Sequence, residues 1–320
     1  MHFPTKQSGQ KSLTSTVPNV DRTVRIGLSY ALLGVFLFSL SLPMTKLALD
    51  GFNPYVTAFG RAAIAGLLAL ALLRIRRVPV PDRSLWRPIG YTIAGAVIGW
   101  PVLVALALER TTSAHTAVIA AFMPLCTAVL AVLRSRERVS VGFWFAATSG
   151  TAALVVFALT RGGAEGADLV ADLLMVAAVF ASSWCYVEGA GLTRFMPGWQ
   201  VISWVVVFAL PLTIPTAILL QVVLPRPATI PLHAWLGFGF IALFSMYFGF
   251  FAWYRGLAQA GVPKGSQVQQ LQALMTLGWS SLLLGEQVGW PTVLAAVAVV
   301  ASVVWAQASR RVAPVPIEMD

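Results

Sequence analysis

Residues 266–272 read SQVQQLQ, so Ser266, Gln267, Gln269, Gln270 and Gln272 place five amide or hydroxyl side chains in seven positions. Gln267 and Gln270 stand three apart and share a helix face. The surrounding sequence is strongly apolar. A glutamine turned toward lipid would leave its amide unpaired, at a cost of several kcal/mol. The face must therefore meet protein or a wet cavity. Two roles are open for it, cavity lining and hydrogen bonding between helices.

Arg61 poses the same question with a full charge. It follows Pro54 inside an apolar run, about 12 Å deep at 1.5 Å per residue. An ionisable group at such depth marks a functional site by default. The alternative is a packing or snorkelling residue that holds its helix against Glu109 or the interface. His115, at the start of another apolar run, is a candidate proton-coupling group or a structural hydrogen-bond donor. Trp100, Tyr186, Tyr247 and Trp253 offer aromatic surface to a substrate cavity, or belong to interfacial belts. Glu188 and Arg255 each end an apolar run on the same expected side, and together form a candidate gate or a static interfacial pair. Pro101 and Pro124 are candidate hinges, because proline removes a helix hydrogen bond.

Little here supports catalysis. The three histidines, His2, His115 and His233, lie far apart in sequence, and neither HExxH nor GxxxxGK[ST] occurs. No cofactor or metal is implied. Cys126 and Cys185 sit in apolar runs without CxxC spacing and read as small buried hydrophobes.

The elements that position these residues follow from composition. Of 320 residues, 58% are hydrophobic and only 11% charged, with a mean hydropathy of +0.79. Soluble domains carry about 25% charged residues. This excludes a soluble enzyme or module and makes the lipid bilayer the main solvent. About 20 apolar residues span a bilayer as a helix. Ten such runs are expected, near 27–47, 53–73, 86–107, 112–133, 141–160, 169–190, 199–222, 233–254, 263–284 and 290–308. The fold class is thus an all-α integral membrane protein. Residues 1–25 are polar and contain no removable signal, so they are expected to form a tail, as are 310–320.

With alternating spans and the N-terminus inside, seventeen Lys and Arg fall on the cytoplasmic side and four outside. That bias predicts both termini in the cytoplasm of a cell (inner) membrane protein. The net charge of +10 arises from these loop clusters, with no basic stripe suited to nucleic acid.

Shifting the chain by 149 residues sets Trp86 on Trp235, Gly90 on Gly239, Thr127 on Thr276 and Glu137 on Glu286. Two repeats of five spans are expected, 26–161 and 168–309. Five is odd, so the repeats must be inverted relative to one another, with a substrate site between them.

The stretch ALERTTSAHTAVIAAFMPLCTAVLAVLRSRERVS at 107–140, its second copy at 250–286 and the LLLGE ending at Glu286 resemble the drug/metabolite transporter superfamily, in its EamA-type ten-helix form. Pro43 and Lys46 at the end of the first run, then Pro54 and Arg61, extend the resemblance over about 27–308. It implies a gradient-driven exporter of a small metabolite. The glutamine face points to a neutral or zwitterionic, amino-acid-like solute. A passive channel or a lipid or drug translocator is the competing expectation. A homodimer is compatible with the chain. Two departures stand out. Ala273 stands opposite Pro124, and the first span has no acidic residue of the kind that serves cation exchange in small four-helix relatives. Glu137 and Glu286 are expected to tie loops to helix ends.

Overall fold

A computed structural model describes residues 20–135, 140–160, 168–224, 227, 229–260, 268–269 and 271–309. The described residues are helical and contain no strand. The helices are α1 (Val20–Ser39), α2 (Ser41–Leu49), α3 (Pro54–Ile75), α4 (Trp86–Ile93), α5 (Trp100–Leu108), α6 (Ser113–Ala120) and α7 (Met123–Ser135). They continue with α8 (Val141–Thr160), α9 (Leu169–Leu192), α10 (Gly198–Val223), α11 (Leu232–Phe240), α12 (Gly249–Ala260), α13 (Leu271–Leu284) and α14 (Trp290–Ser309). Among the described residues, seven stretches, some of them two joined helices, are long and apolar enough to cross a membrane. Helices α8, α13 and α14 add further apolar segments.

These helices are apolar nearly all round, and the outer face stays so. Leu67, Phe180, Leu212 and Trp290 all lie exposed. A belt of exposed large hydrophobics on a folded surface fits a lipid contact. Inside, the packing follows small residues. An added Cβ at Gly256 would come within 2.4 Å of the Ala31 backbone nitrogen, so α1 and α12 run in close contact there. Gly95 brings the π-helical turn after α4 equally close to the carbonyl of Ala181 in α9. Small residues at such crossings are the usual means of helix association in lipid.

Helix α1 lies along α12, α2 along α11, α3 along α10 and α8 along α14. Helix α9 packs on α4, α5 and α7, while α13 meets α1, α2 and α6.

The helix irregularities have chemical causes. Pro43 carries no N–H, so the Ser39 carbonyl one turn earlier loses its helical partner, and α1 stops at Ser39. The Thr276 hydroxyl takes that place, its one proton shared between the Ser39 carbonyl and the Gln272 carbonyl of its own helix, each at 2.8 Å. Pro124 likewise cannot donate to Ala120, and the chain breaks between α6 and α7. Pro101 follows a π-helical turn, Ala94–Gly99, whose wider pitch absorbs the missing bond. A second π-helical stretch, Ile241–Phe248, joins α11 to α12. Pro211 and Pro215, by contrast, lie inside α10 without interrupting it.

Thr276→Val keeps the shape of the side chain but strands the buried Ser39 carbonyl. It is expected to cost about 1–3 kcal/mol, while Thr276→Ser stays near the parent. Thermal unfolding of the purified variants checks this.

Candidate functional site

The helix breaks and π turns face one another across a partly open cavity. The space between its walls, open solvent at the mouth included, is about 460 Å³. Its walls come from the break between α1 and α2 (Phe38, Ser41), from both π stretches (Ala96, Ser245, Met246) and from the start of α7 (Met123). Arg61 of α3, Trp100 of α5, Ser182, Cys185 and Tyr186 of α9, Phe250 of α12 and Gln272 of α13 complete it. A second space of about 340 Å³ adjoins it, sharing Met123 and Gln272 and reaching Pro124, Gln269 and Ala120.

Regular helices would satisfy their own backbones and present only side chains. The interrupted ones leave room between turns, which is why polar lining gathers here. The Ser41 and Ser245 hydroxyls bond to each other at 2.8 Å and link the first break to the second π stretch.

Of the aromatic and charged candidates, Arg61, Trp100 and Tyr186 are brought together in the cavity. Arg61 is 4% exposed. Among the described residues its only hydrogen-bond partner is the Met246 sulfur, 3.8 Å from Nη2, and its Nε has no partner. Among the described residues no carboxylate pairs with it, so neither Glu109 nor any other acid explains its burial.

The other candidates lie elsewhere. Tyr247 is buried in the core, its hydroxyl 2.8 Å from that of Ser203. Trp253 packs edge-on against Phe38, behind the cavity wall, and its backbone crowds Gly34. His115 Nε2 lies 2.6 Å from Asp172 Oδ1, a buried pair joining α6 to α9. Glu188 Oε1 is 3.1 Å from Arg134 Nη2, an ion-pair approach without hydrogen-bond alignment. Arg255 instead stacks over the Tyr30 ring at 4.5 Å. The structure therefore does not join Glu188 to Arg255. Pro101 and Pro124 do fall at helix irregularities, and Pro124 lines the second space. Gln267, Gln270 and Glu137 lie outside the described residues. Their neighbours Gln269 and Gln272 line the cavities.

Sequence reasoning did not pick out Ser41, Ser182, Ser245 or Met246, nor Asp172. Serine in an apolar run is too common a signal. The informative one was spacing. Ala96 and Ser245, Met123 and Gln272, Ala120 and Gln269, and Pro124 and Ala273 each stand 149 positions apart and line the same two spaces.

The ends of the bundle are fixed by charged caps. Glu286 accepts from the backbone N–H groups of Ser113 and Ala114, both at 2.8 Å, and so holds the N-terminus of α6. Lys46 Nζ donates to the carbonyls of Leu108 and Thr111 just past α5. Asp168 caps α9 through Val170 N–H and pairs with Arg110 at 3.0 Å. The Arg110 hydrogen bond, followed by the backbone donors, holds the Asp168 carboxyl below its ordinary value. A lowered folded-state pKa means that stabilisation is full above the unfolded value, about 3.9, and is lost as pH falls through the lowered one. The stability difference between the parent and Asp168→Asn is thus expected near neutral pH and to close in strong acid. Thermal melts across pH check this.

Comparison with known proteins agrees with this architecture. The model of the EamA-like transporter family matches twice, over residues 25–159 and 169–306. The chain belongs to the EamA-like transporter family. An uncharacterized transporter of Bacillus subtilis (strain 168), YdeK, is 41% identical over 282 residues, covering 88% of this chain and 96% of the relative. One solved crystal structure superposes with a TM-score of 0.59 at 19% identity, over 89% of this chain and 98% of that one. At that identity the likeness speaks to fold alone. Family and relative together mark a multi-pass membrane transporter and point to transport rather than catalysis.

Proposed function

We propose that this chain is a secondary transporter that exports a small organic metabolite across the cell membrane by alternating access. Its substrate site is the cavity bounded by Arg61, Trp100, Tyr186, Ser245 and Gln272. The repeats are 26–161 and 168–309, inverted relative to one another, with short tails at 1–25 and 310–320 and both termini cytoplasmic.

The observation that carries the reading is the paired lining. Residues 149 apart in sequence meet around two adjoining spaces, Ala96 with Ser245 and Met123 with Gln272 in the proposed site itself. Two repeats related by a pseudo-twofold axis bring equivalent positions together only near that axis, and that is where transporters of inverted architecture bind their cargo. The packing supports the same reading. Exchanging each helix for its counterpart five spans away turns the contact of α1 with α12 into that of α9 with α4 and α5, and both occur. The family model, matching once in each half, supports the repeat boundaries. Two π-helical turns in equivalent places give each half a compliant segment at the cavity.

The test is solute counterflow in liposomes after a thermal-shift screen of metabolites, since a bound solute raises the unfolding midpoint by mass action. Saturable flux, competed by unlabelled solute, is the expected result. Flux that rises linearly with concentration would favour a passive channel. Movement of lipid alone would favour a translocator.

A further inference from the structure

Arg61 is a charge without a balance. Its side chain is buried in the cavity wall, its Nε is unpartnered, and among the described residues the only group in reach is a thioether sulfur, a weak acceptor. Among the described residues that line either space there is no Asp or Glu. Burying a cation without a partner is costly, and proteins normally pair such groups or place them where a charged ligand completes them. The rest of the wall shows what else that ligand must offer. Phe38, Trp100 and Phe250 present apolar surface, and Ser182, Ser245 and Gln272 offer a few neutral hydrogen-bonding groups.

We infer that the transported solute is a small organic monoanion whose carboxylate binds the Arg61 guanidinium while its apolar body rests on Trp100, Phe38 and Phe250. This rests on the transporter reading and narrows it, replacing the neutral solute that the glutamine-rich stretch alone suggests. The planar fork of arginine matches a carboxylate in two parallel hydrogen bonds. One cation balances one negative charge. A phosphate monoester would bring a second charge, and a zwitterion an ammonium, that none of the described lining residues balances.

The experiment uses the detergent-purified full chain and matched probes: benzoate, 3-phenylpropionate and indole-3-acetate, each beside its uncharged amide, with phenyl phosphate and L-phenylalanine as further arms. Binding is followed by thermal shift and calorimetry. At least one acid is expected to bind, with its amide about thirtyfold weaker or worse, since truncating a buried charge pair costs that much or more. Arg61→Gln is expected to abolish the difference between acid and amide, and Arg61→Lys to keep part of it. The acid and amide are compared on the unaltered protein, so the outcome does not depend on a variant folding. Equal binding of acid and amide, tighter binding of phenyl phosphate or L-phenylalanine, or no binding of any acid overturns the inference. The transporter reading fails separately. Saturable flux of a neutral solute through both the parent and Arg61→Gln overturns the anion site and leaves transport standing. Acid binding without saturable flux of any bound acid does the reverse.

Discussion

Asp172→Leu, with His115 left in place, is expected to lower stability by about 3–5 kcal/mol, the cost of removing one partner from a buried pair. The two groups approach to 2.6 Å, and both residues are buried, His115 at 3% and Asp172 at 7% exposure. They join α6 to α9 across 57 residues of chain, in a region otherwise packed with Val, Ile, Met and Ala. Without the carboxylate, the imidazole nitrogen has lost the partner that offset its desolvation. The double variant His115→Leu/Asp172→Leu separates this cause from simple loss of shape. Replacing a whole buried pair with apolar groups is often neutral or stabilising. The double variant is therefore expected to recover most of the loss. Thermal unfolding in detergent reads both effects, and a double variant as unstable as the single would show that the pair is not mutually compensating.

The second large effect is on transport. Ala96→Phe and Ser245→Phe each add a ring to the cavity from one of the two π-helical stretches. Each is expected to cut saturable flux at least about tenfold, roughly 1.4 kcal/mol on the solute's interaction. The positions are 149 apart, and both effects should be similar if the site lies between equivalent elements. Gly239→Ala serves as the control, because an added Cβ there meets nothing within 4 Å. Its flux should match the parent.

Much of this could be read from the residues, for reasons the structure makes plain. The apolar runs were legible because membrane helices must be long and apolar, and α3, α9 and α10 begin and end within a few residues of the expected runs. Arg61 stood out because charge in lipid is rare. Pro101 and Pro124 stood out because a missing N–H interrupts a helix, and both fall at irregularities, whereas Pro211 and Pro215, expected to kink in the same way, lie inside an unbroken α10. What was not legible was which way a side chain faces. A helix apolar on every side has no stripe to orient it. Tyr247 and Trp253 therefore looked like Trp100 and Tyr186, although the first pair packs away from the cavity. Glu188 and Arg255 share a side of the bundle, but Arg134 and Tyr30 reach them across helices that local spacing cannot place. The second π stretch contains no proline and left no mark in the sequence. The 149-residue offset was visible, and it is the one long-range signal that pointed at the cavity.

The most direct test of the central claim, that this cavity is the substrate site of an alternating-access transporter, uses Cys185 in its wall. With Cys126 replaced by alanine, Cys185 is the sole thiol in the chain. Oriented vesicles are treated with a small membrane-impermeant methanethiosulfonate from one side, then from the other, with and without a transported solute. The account predicts modification from each side and suppression of both by the solute. Modification from one side only, or modification from both sides that the solute does not slow, would contradict it.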